Sequence, residues 1–395
     1  MYGTIITDGI AEQPNIRNNL IYGTTECTSN MSLPEHLHPF KLLKYIFRFF
    51  YVVISNLVCI PSYMVWLCIL YPVKLFAPNI FWTIEACLFK GLLVVVTGWT
   101  FSGGYLLYES GDKLNSIYKE SAILLVNHQS TSDVPVVMAT LQAKDLVIGR
   151  VMWVMDYIFK FTNFGWVSVV HGDFFILQGK ESRDKSLGEL KEHLEALYDS
   201  TYKKWMVLFP EGGFLRKRRQ RSQEFAKKND LPVLQHVTLP RVGALKVILD
   251  TLGVATNKGT NSQGRLKWII DMTVGYPNAE ALDLHGMCIG YWKPRKIQIH
   301  YRAYPISEIP TETEPLTKWM YQRFVEKEKM LEHFYKDGRN LEDSDNQERI
   351  LPRVKGHDLP IDLLEMLIHH LFYITSCYVF WNYLFFSIFS VLGIF

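Results

Sequence analysis

The chain has 395 residues, with 42 Lys+Arg against 39 Asp+Glu and a net charge of +3. That balance excludes a polyanionic tail protein and gives no global basic field for nucleic acid. Hydrophobic residues make up 48% and aromatics 14%, which excludes a disordered chain and suits lipid interfaces as well as a core.

A tail, residues 1–40, precedes a charge-free run from Phe49 to Val73 between Arg48 and Lys74. As a helix this run reaches about 37 Å, enough for a hydrocarbon core of about 30 Å. Pro61 predicts a kink within it. A second apolar stretch runs from Gly91 to Tyr108, between Lys90 and Glu109. It reads as a short or re-entrant membrane helix, with a buried core helix as the alternative at this length. Residues 41–108 thus form a membrane-embedded helical hairpin. Lys41, Lys44 and Arg48 ahead of the first run favour a cytosolic N-terminus, whether the hairpin crosses or dips into one leaflet. Cys27, Cys59, Cys68, Cys87, Cys288 and Cys377 include no CxxC pair, so a reducing compartment is the simplest reading. On this topology the Asn30-Met31-Ser32 sequon stays unglycosylated.

Residues 109–340 read as one α/β catalytic domain, a mixed sheet flanked by helices. Strand-like runs are Ala122–Val126, Trp166–Val170, Trp205–Phe209, Trp268–Val274 and Lys296–Tyr304. Leu187, Leu190, Leu194 and Leu197 mark one face of a helix over Arg183–Tyr198, and a second helix opens at Pro315 and runs to 336. Thr256–Gly264 and Gly338–Gly356 look like loops or linkers. Residues 341–360 form a linker to a C-terminal membrane helix over 361–395, where no Asp, Glu, Lys or Arg follows Glu365.

The chemistry concentrates in Ala122–Asp133, where an apolar strand enters a turn holding Asn127 and His128. Ser130, Thr131 and Ser132 are helix-capping types, and Pro135 fits a first helical turn. Five residues apart across that turn, His128 and Asp133 can meet as a base and its orienting carboxylate. Such a pair has no built-in nucleophile, so a substrate hydroxyl is the natural one. Ser130 as nucleophile is the rival reading, although it suits a cap better. A second strand ends in Pro210-Glu211-Gly212-Gly213 and a run of cations, Arg216 to Arg221. Glycine amides with neighbouring guanidinium groups suit a phosphate or a membrane surface; a solvated basic loop is the plainer alternative. His171–Gly179 and Val237–Arg241 each follow strand-like patterns and suit an acyl channel or ordinary core equally well. No phosphate loop, GxGxxG, GxSxG or HExxH occurs, which argues against nucleotide hydrolysis, hydride transfer, an elbow-type serine hydrolase and a zinc protease. No metal-ligand spacing is visible.

Asn127-His128 to Asp133, then Gly172, Phe175 and Ile176, then Phe209-Pro210-Glu211-Gly212, then Val237–Pro240 resemble, in that order, the four blocks of the glycerophospholipid acyltransferase family. NHQSTSD, VSVVHGDFF, WMVLFPEGGFLRKRR, FAKKN, VTLPR and YQRFVEKE resemble its acyl-CoA:lysophosphatidylglycerol acyltransferase branch, over about residues 45–335. The resemblance implies a glycerol-3-phosphate acyltransferase-like α/β domain between membrane helices. It implies acyl transfer from acyl-CoA, as co-substrate, to the free hydroxyl of a lysophospholipid such as lysophosphatidylglycerol or lysophosphatidylethanolamine. No other cofactor is implied, nor any metal or nucleic-acid partner. The implied setting is the endoplasmic reticulum membrane, with the domain facing the cytosol. Carried over, His128 is the base, Asp133 orients it and no acyl-enzyme forms. Asn127, Gly172, Phe175, Ile176, Glu211, Gly212 and Pro240 fall in substrate-binding blocks. The family's Thr and Arg after Glu-Gly are replaced here by Gly213 and Phe214, which leaves Arg216 as the candidate replacement cation. Gln178 stands where the second block has Arg. The rival functions are a lipid hydrolase or thioesterase using the same pair on water, and a non-catalytic lipid-binding protein.

Overall fold

The computed structural model describes residues 39–144, 147–179, 181–253, 265–345 and 349–385. The chain divides into two compact units, Met1–Leu42 and Leu43–Phe395. Of the first, only Pro39–Leu42 is described. The whole Thr256–Gly264 loop, the sequon, Cys27 and the last ten residues lie outside the described residues.

Helices α1 (Pro39–Ile69), α2 (Tyr71–Phe76) and α3 (Pro78–Phe101) come first. Strand β1 (Leu106–Asp112), β2 (Ala122–Val126) and α4 (Asp133–Gln142) follow. Then come β3 (Val151–Asp156), α5 (Asn163–His171), β4 (Phe174–Ile176), α6 (Arg183–Leu197) and β5 (Trp205–Leu208). Helices α7 (Leu215–Lys228) and α8 (Gly243–Ile248) lead to β6 (Trp268–Gly275), α9 (Leu284–Ile289) and β7 (Lys296–Pro305). Then come α10 (Thr313–Asp337), β8 (Arg353–Asp358) and α11 (Leu363–Val379), the last followed by a helical turn at Phe380–Phe385.

The eight strands form one mixed sheet in the order β4-β3-β5-β2-β6-β7-β1-β8. Strand β2 runs parallel to both neighbours, β5 and β6, while β6–β7 and β1–β8 are antiparallel. Alternation along the central strands splits the core in two. Leu124, Val126, Val207 and Ile270 join the side chains of α1, α3, α4 and α11 on one face. Ile123, Leu125, Met206 and Ile269 join those of α6, α8 and α10 on the other. Every residue of β2 is buried, as a strand covered on both faces requires. This layering is the mixed, helix-flanked α/β domain expected from the sequence.

Among the described residues, three helices have the length and apolarity to cross a membrane: Pro39–Ile69, Pro78–Phe101 and Leu363–Tyr383. Helix α1 continues through Pro61. The second apolar stretch differs from its sequence reading. Its helix begins at Pro78 and ends at Phe101, and Leu106–Tyr108 already belong to β1. Glu85 and Lys90 lie inside it, each paired: Tyr63 donates to Glu85 at 2.6 Å, and Lys90 meets Glu365 at 2.8 Å. Its Gly91–Thr100 half is buried throughout, the core-helix alternative. Arg48 is also buried, donating to the carbonyls of Cys288 at 2.9 Å and Trp99 at 2.6 Å.

Two further readings are corrected. Trp166–Val170 is helical rather than extended, because Thr162 caps α5 by accepting from Gly165 N and left-handed Gly172 ends it. Residues 341–360, read as a linker, contain the edge strand β8.

Candidate active site

Strands β2 and β5 run parallel, so their C-terminal ends open on the same edge of the sheet. His128 leaves the end of β2 and Asp133 begins α4. His128 Nδ1 lies 2.9 Å from Asp133 Oδ2, which also accepts from Ser130 N at 2.9 Å. The other oxygen, Oδ1, accepts from the Tyr276 hydroxyl at 2.5 Å. Asp133 is fully buried while the His128 side chain keeps 12% of its surface open. This pairing points Nε2 outward, free to take a proton from a bound group. The ring lies against Phe209, with centroids 4.2 Å apart, and Phe214, at 4.6 Å. Tyr276 is fully buried; burial first, then the Asp133 charge, hold its phenol well above the ordinary range, so it remains a donor.

Glu211 follows β5 and is buried. Its Oε1 accepts from His128 N at 2.6 Å, and its Oε2 accepts from Thr238 N at 2.8 Å and Thr238 Oγ1 at 2.7 Å. The carboxyl therefore ties three chain segments together behind the base. Burial pushes it up to about 7, against the pull of those hydrogen bonds. Asn127 is likewise spent on the scaffold: it donates to Val274 O at 3.0 Å and accepts from Val274 N at 2.8 Å. Ser130 and Ser132 hydroxyls meet at 2.7 Å and both donate toward Leu282 O, so Ser130 serves the turn rather than His128.

Beyond Glu211 the backbone turns through Gly212 (φ 68°) and Gly213 (φ 151°), conformations that favour glycine. A Cβ on Gly212 would meet the Arg241 guanidinium at 3.2 Å, and one on Gly213 would meet Arg218 Nε at 2.8 Å. Arg218 donates to Gly212 O at 2.5 Å and to the Gln178 side chain. Burial, then the charges of Arg218, Arg183 and Arg221, lower the Arg241 pKa. Among the described residues none of these four arginines has a carboxylate partner within ion-pair distance. Arg216 lies exposed in the first turn of α7.

The structure thus gathers His128, Asp133, Glu211 and Gly212 at one strand edge. Buried Pro240 joins them through Arg241 N, which donates to Pro210 O at 2.7 Å. Phe175 and Ile176 sit half-buried on β4, two residues short of Gln178. Gly172 caps α5 ahead of that strand and accepts from His193 Nε2 at 3.0 Å. Sequence reading missed Tyr276 altogether. Arg218 stood in the basic run, and Thr238 and Arg241 in the Val237–Arg241 run, without a site role of their own. Among the described residues no group of three or more His, Cys, Asp or Glu side chains is placed to hold a metal ion.

Residues 109–245 match the family model described as Acyltransferase, and residues 288–357 match Acyltransferase C-terminus. The acyl-CoA:lysophosphatidylglycerol acyltransferase 1 of Homo sapiens is 50% identical over 307 residues, 75% of this chain and 83% of that protein. Its Mus musculus counterpart is 50% identical over 305 residues, 75% and 82% of the two chains. A putative 1-acyl-sn-glycerol-3-phosphate acyltransferase of Caenorhabditis elegans is 30% identical over 280 residues, 68% and 71% of the two chains.

Proposed function

Because this chain belongs to the acyltransferase family and is an O-acyltransferase of membrane lipid, we propose that it transfers a long-chain acyl group from acyl-CoA to a lysophospholipid hydroxyl. The observation that carries the mechanism is His128, oriented by Asp133 at 2.9 Å, with Nε2 open and no engaged serine. His128 removes the proton of the glycerol hydroxyl as its oxygen attacks the thioester carbonyl. The C–O bond forms, the C–S bond breaks, and CoA leaves with the proton. No acyl-enzyme intervenes. Asp133 holds the imidazolium, and Tyr276 and Ser130 N hold Asp133.

Glu211 acts through the backbone, fixing His128 against the Gly212 turn. The lysophospholipid phosphate lies over that turn, among Arg218, Arg241, Arg183 and Arg221. These arginines take the part that the sequence reading gave to Arg216. The names of the relatives make lysophosphatidylglycerol the first acceptor to try. Acyl-CoA is a co-substrate and no further cofactor enters the scheme. Lys41 and Lys44 ahead of the apolar run support a cytosolic face for the domain, and the endoplasmic reticulum is the proposed membrane.

The test offers labelled acyl-CoA in isolated membranes with lysophosphatidylglycerol, lysophosphatidylethanolamine, lysophosphatidylcholine or lysophosphatidic acid. Acceptor-dependent labelled phospholipid is expected. Free fatty acid formed equally without an acceptor would make the protein a hydrolase.

A further inference from the structure

Between Asp156 and His171 lie fourteen residues with a single charge, Lys160. They are too few to cross a bilayer. They fold as a short turn, Tyr157–Phe161, followed by α5. The inner side of α5 is tied down: Gly165, Val167, Ser168 and His171 are buried. His171 Nδ1 lies 2.7 Å from the Glu85 carboxylate, and its ring stacks on Phe89. The outer side is apolar. Ile158, Phe161 and Trp166 are 69%, 73% and 63% exposed, and Tyr157, Phe159 and Val169 accompany them. Single exposed apolar residues are ordinary on a soluble surface, but six within thirteen positions form a patch that needs a partner.

The hydrogen bonds place that partner. Asn163 Nδ2 donates to Asn56 Oδ1 at 3.1 Å. Asn56 lies in α1, seven residues into the charge-free Phe49–Val73 run, or about 10 Å along the helix. Exposed Phe49, Phe50, Ile54 and Leu57 flank it. The patch is therefore continuous with the lipid-facing surface of α1. The two amides also satisfy one another as an apolar medium demands: Asn56 Nδ2 donates to Val52 O, and Asn163 Oδ1 accepts from Phe164 N. Lys160, 5.5 Å from the Tyr157 ring, is long enough to carry its charge to the headgroups.

We infer that Tyr157–Val169 is a membrane-docking element of the catalytic domain, seated in the leaflet that receives α1, with the bilayer itself as its partner. Strand β4 with Phe175 and Ile176 follows directly, so the same contact brings this edge of the sheet to the lipid surface.

The experiment places a photoreactive benzoylphenylalanine at Phe161, Trp166 or Ile158, one at a time, in the full chain. The protein is reconstituted in phosphatidylcholine–phosphatidylglycerol vesicles with radiolabelled acyl chains. Ile54 on α1 and Lys185, 79% exposed on α6 across the sheet, serve as references. The three test side chains face away from the core, so replacement leaves packing intact. Lipid adducts are expected at the Ile54 level, and about tenfold above Lys185, because acyl chains stay within the hydrocarbon layer. Adducts at the Lys185 level, or cross-links to a second copy of the chain, would overturn the assignment.

Discussion

Tyr276→Phe removes one oxygen from a fully buried ring and leaves its shape unchanged. The lost atom donates to Asp133 Oδ1 at 2.5 Å and lies 2.9 Å from Ser132 Oγ. Ser132 keeps its bond to Leu282 O, so Asp133 bears the loss. A hydrogen bond to a charged group contributes roughly 1.5–3 kcal/mol. If that energy holds the carboxylate against His128, the transfer rate at neutral pH falls about 10- to 100-fold. The assay is acyl transfer to lysophosphatidylglycerol in vesicles, followed as rate against pH. A carboxylate with one donor fewer binds the imidazolium proton more strongly, so the acid limb of the profile moves to higher pH. A merely structural defect would lower the rate without moving that limb. An unchanged rate and profile would refute the idea that Tyr276 positions the pair.

Glu211 binds a proton in the folded chain up to about pH 7, whereas the unfolded carboxyl releases it near 4.5. Its raised value means that stability is lost as pH rises through that window, by roughly 3 kcal/mol in all. Glu211→Gln, followed by thermal unfolding in detergent from pH 4.5 to 8, should flatten this slope; a slope equal to wild type would contradict the assignment. The same variant cannot accept from both His128 N and Thr238 N, so its transfer rate should also drop. Arg218→Gln and Arg241→Gln should each raise KM for the lysophospholipid about tenfold, the equivalent of one charge-assisted contact, with a smaller effect on kcat. Arg216→Gln should leave KM within about twofold, as a solvated surface charge does. A KM change confined to Arg216 would reverse the phosphate assignment.

What the sequence revealed was local. The strand, turn and cap around His128 and Asp133 span a dozen residues, and each carries its own signal. Glu211 was visible for the same reason, at a strand end before two glycines. Its partner Thr238 lies 27 positions away, and Tyr276 lies 143 positions from Asp133. Only the placement of β5 and β6 on either side of β2 brings these residues to one edge, and strand order leaves no mark on composition. Helix α5 read as a strand because Trp166, Val167, Val169 and Val170 favour extended backbone, while its caps act one residue outside each end. The start of α3 was hidden because Glu85 and Lys90 break an apolar window, although each is paired with a distant partner. Strand β8 is a partly exposed edge with no apolar alternation, and so looked like linker.

The most direct test compares wild type with His128→Ala in the same reconstituted membranes, with labelled acyl-CoA and lysophosphatidylglycerol. General base catalysis contributes roughly 100- to 10,000-fold, so the variant should lose that much transfer while its unfolding temperature stays near wild type. Transfer by a folded His128→Ala protein at the wild-type rate, or label trapped covalently on wild-type protein before acceptor is added, would contradict direct attack by a hydroxyl that His128 deprotonates.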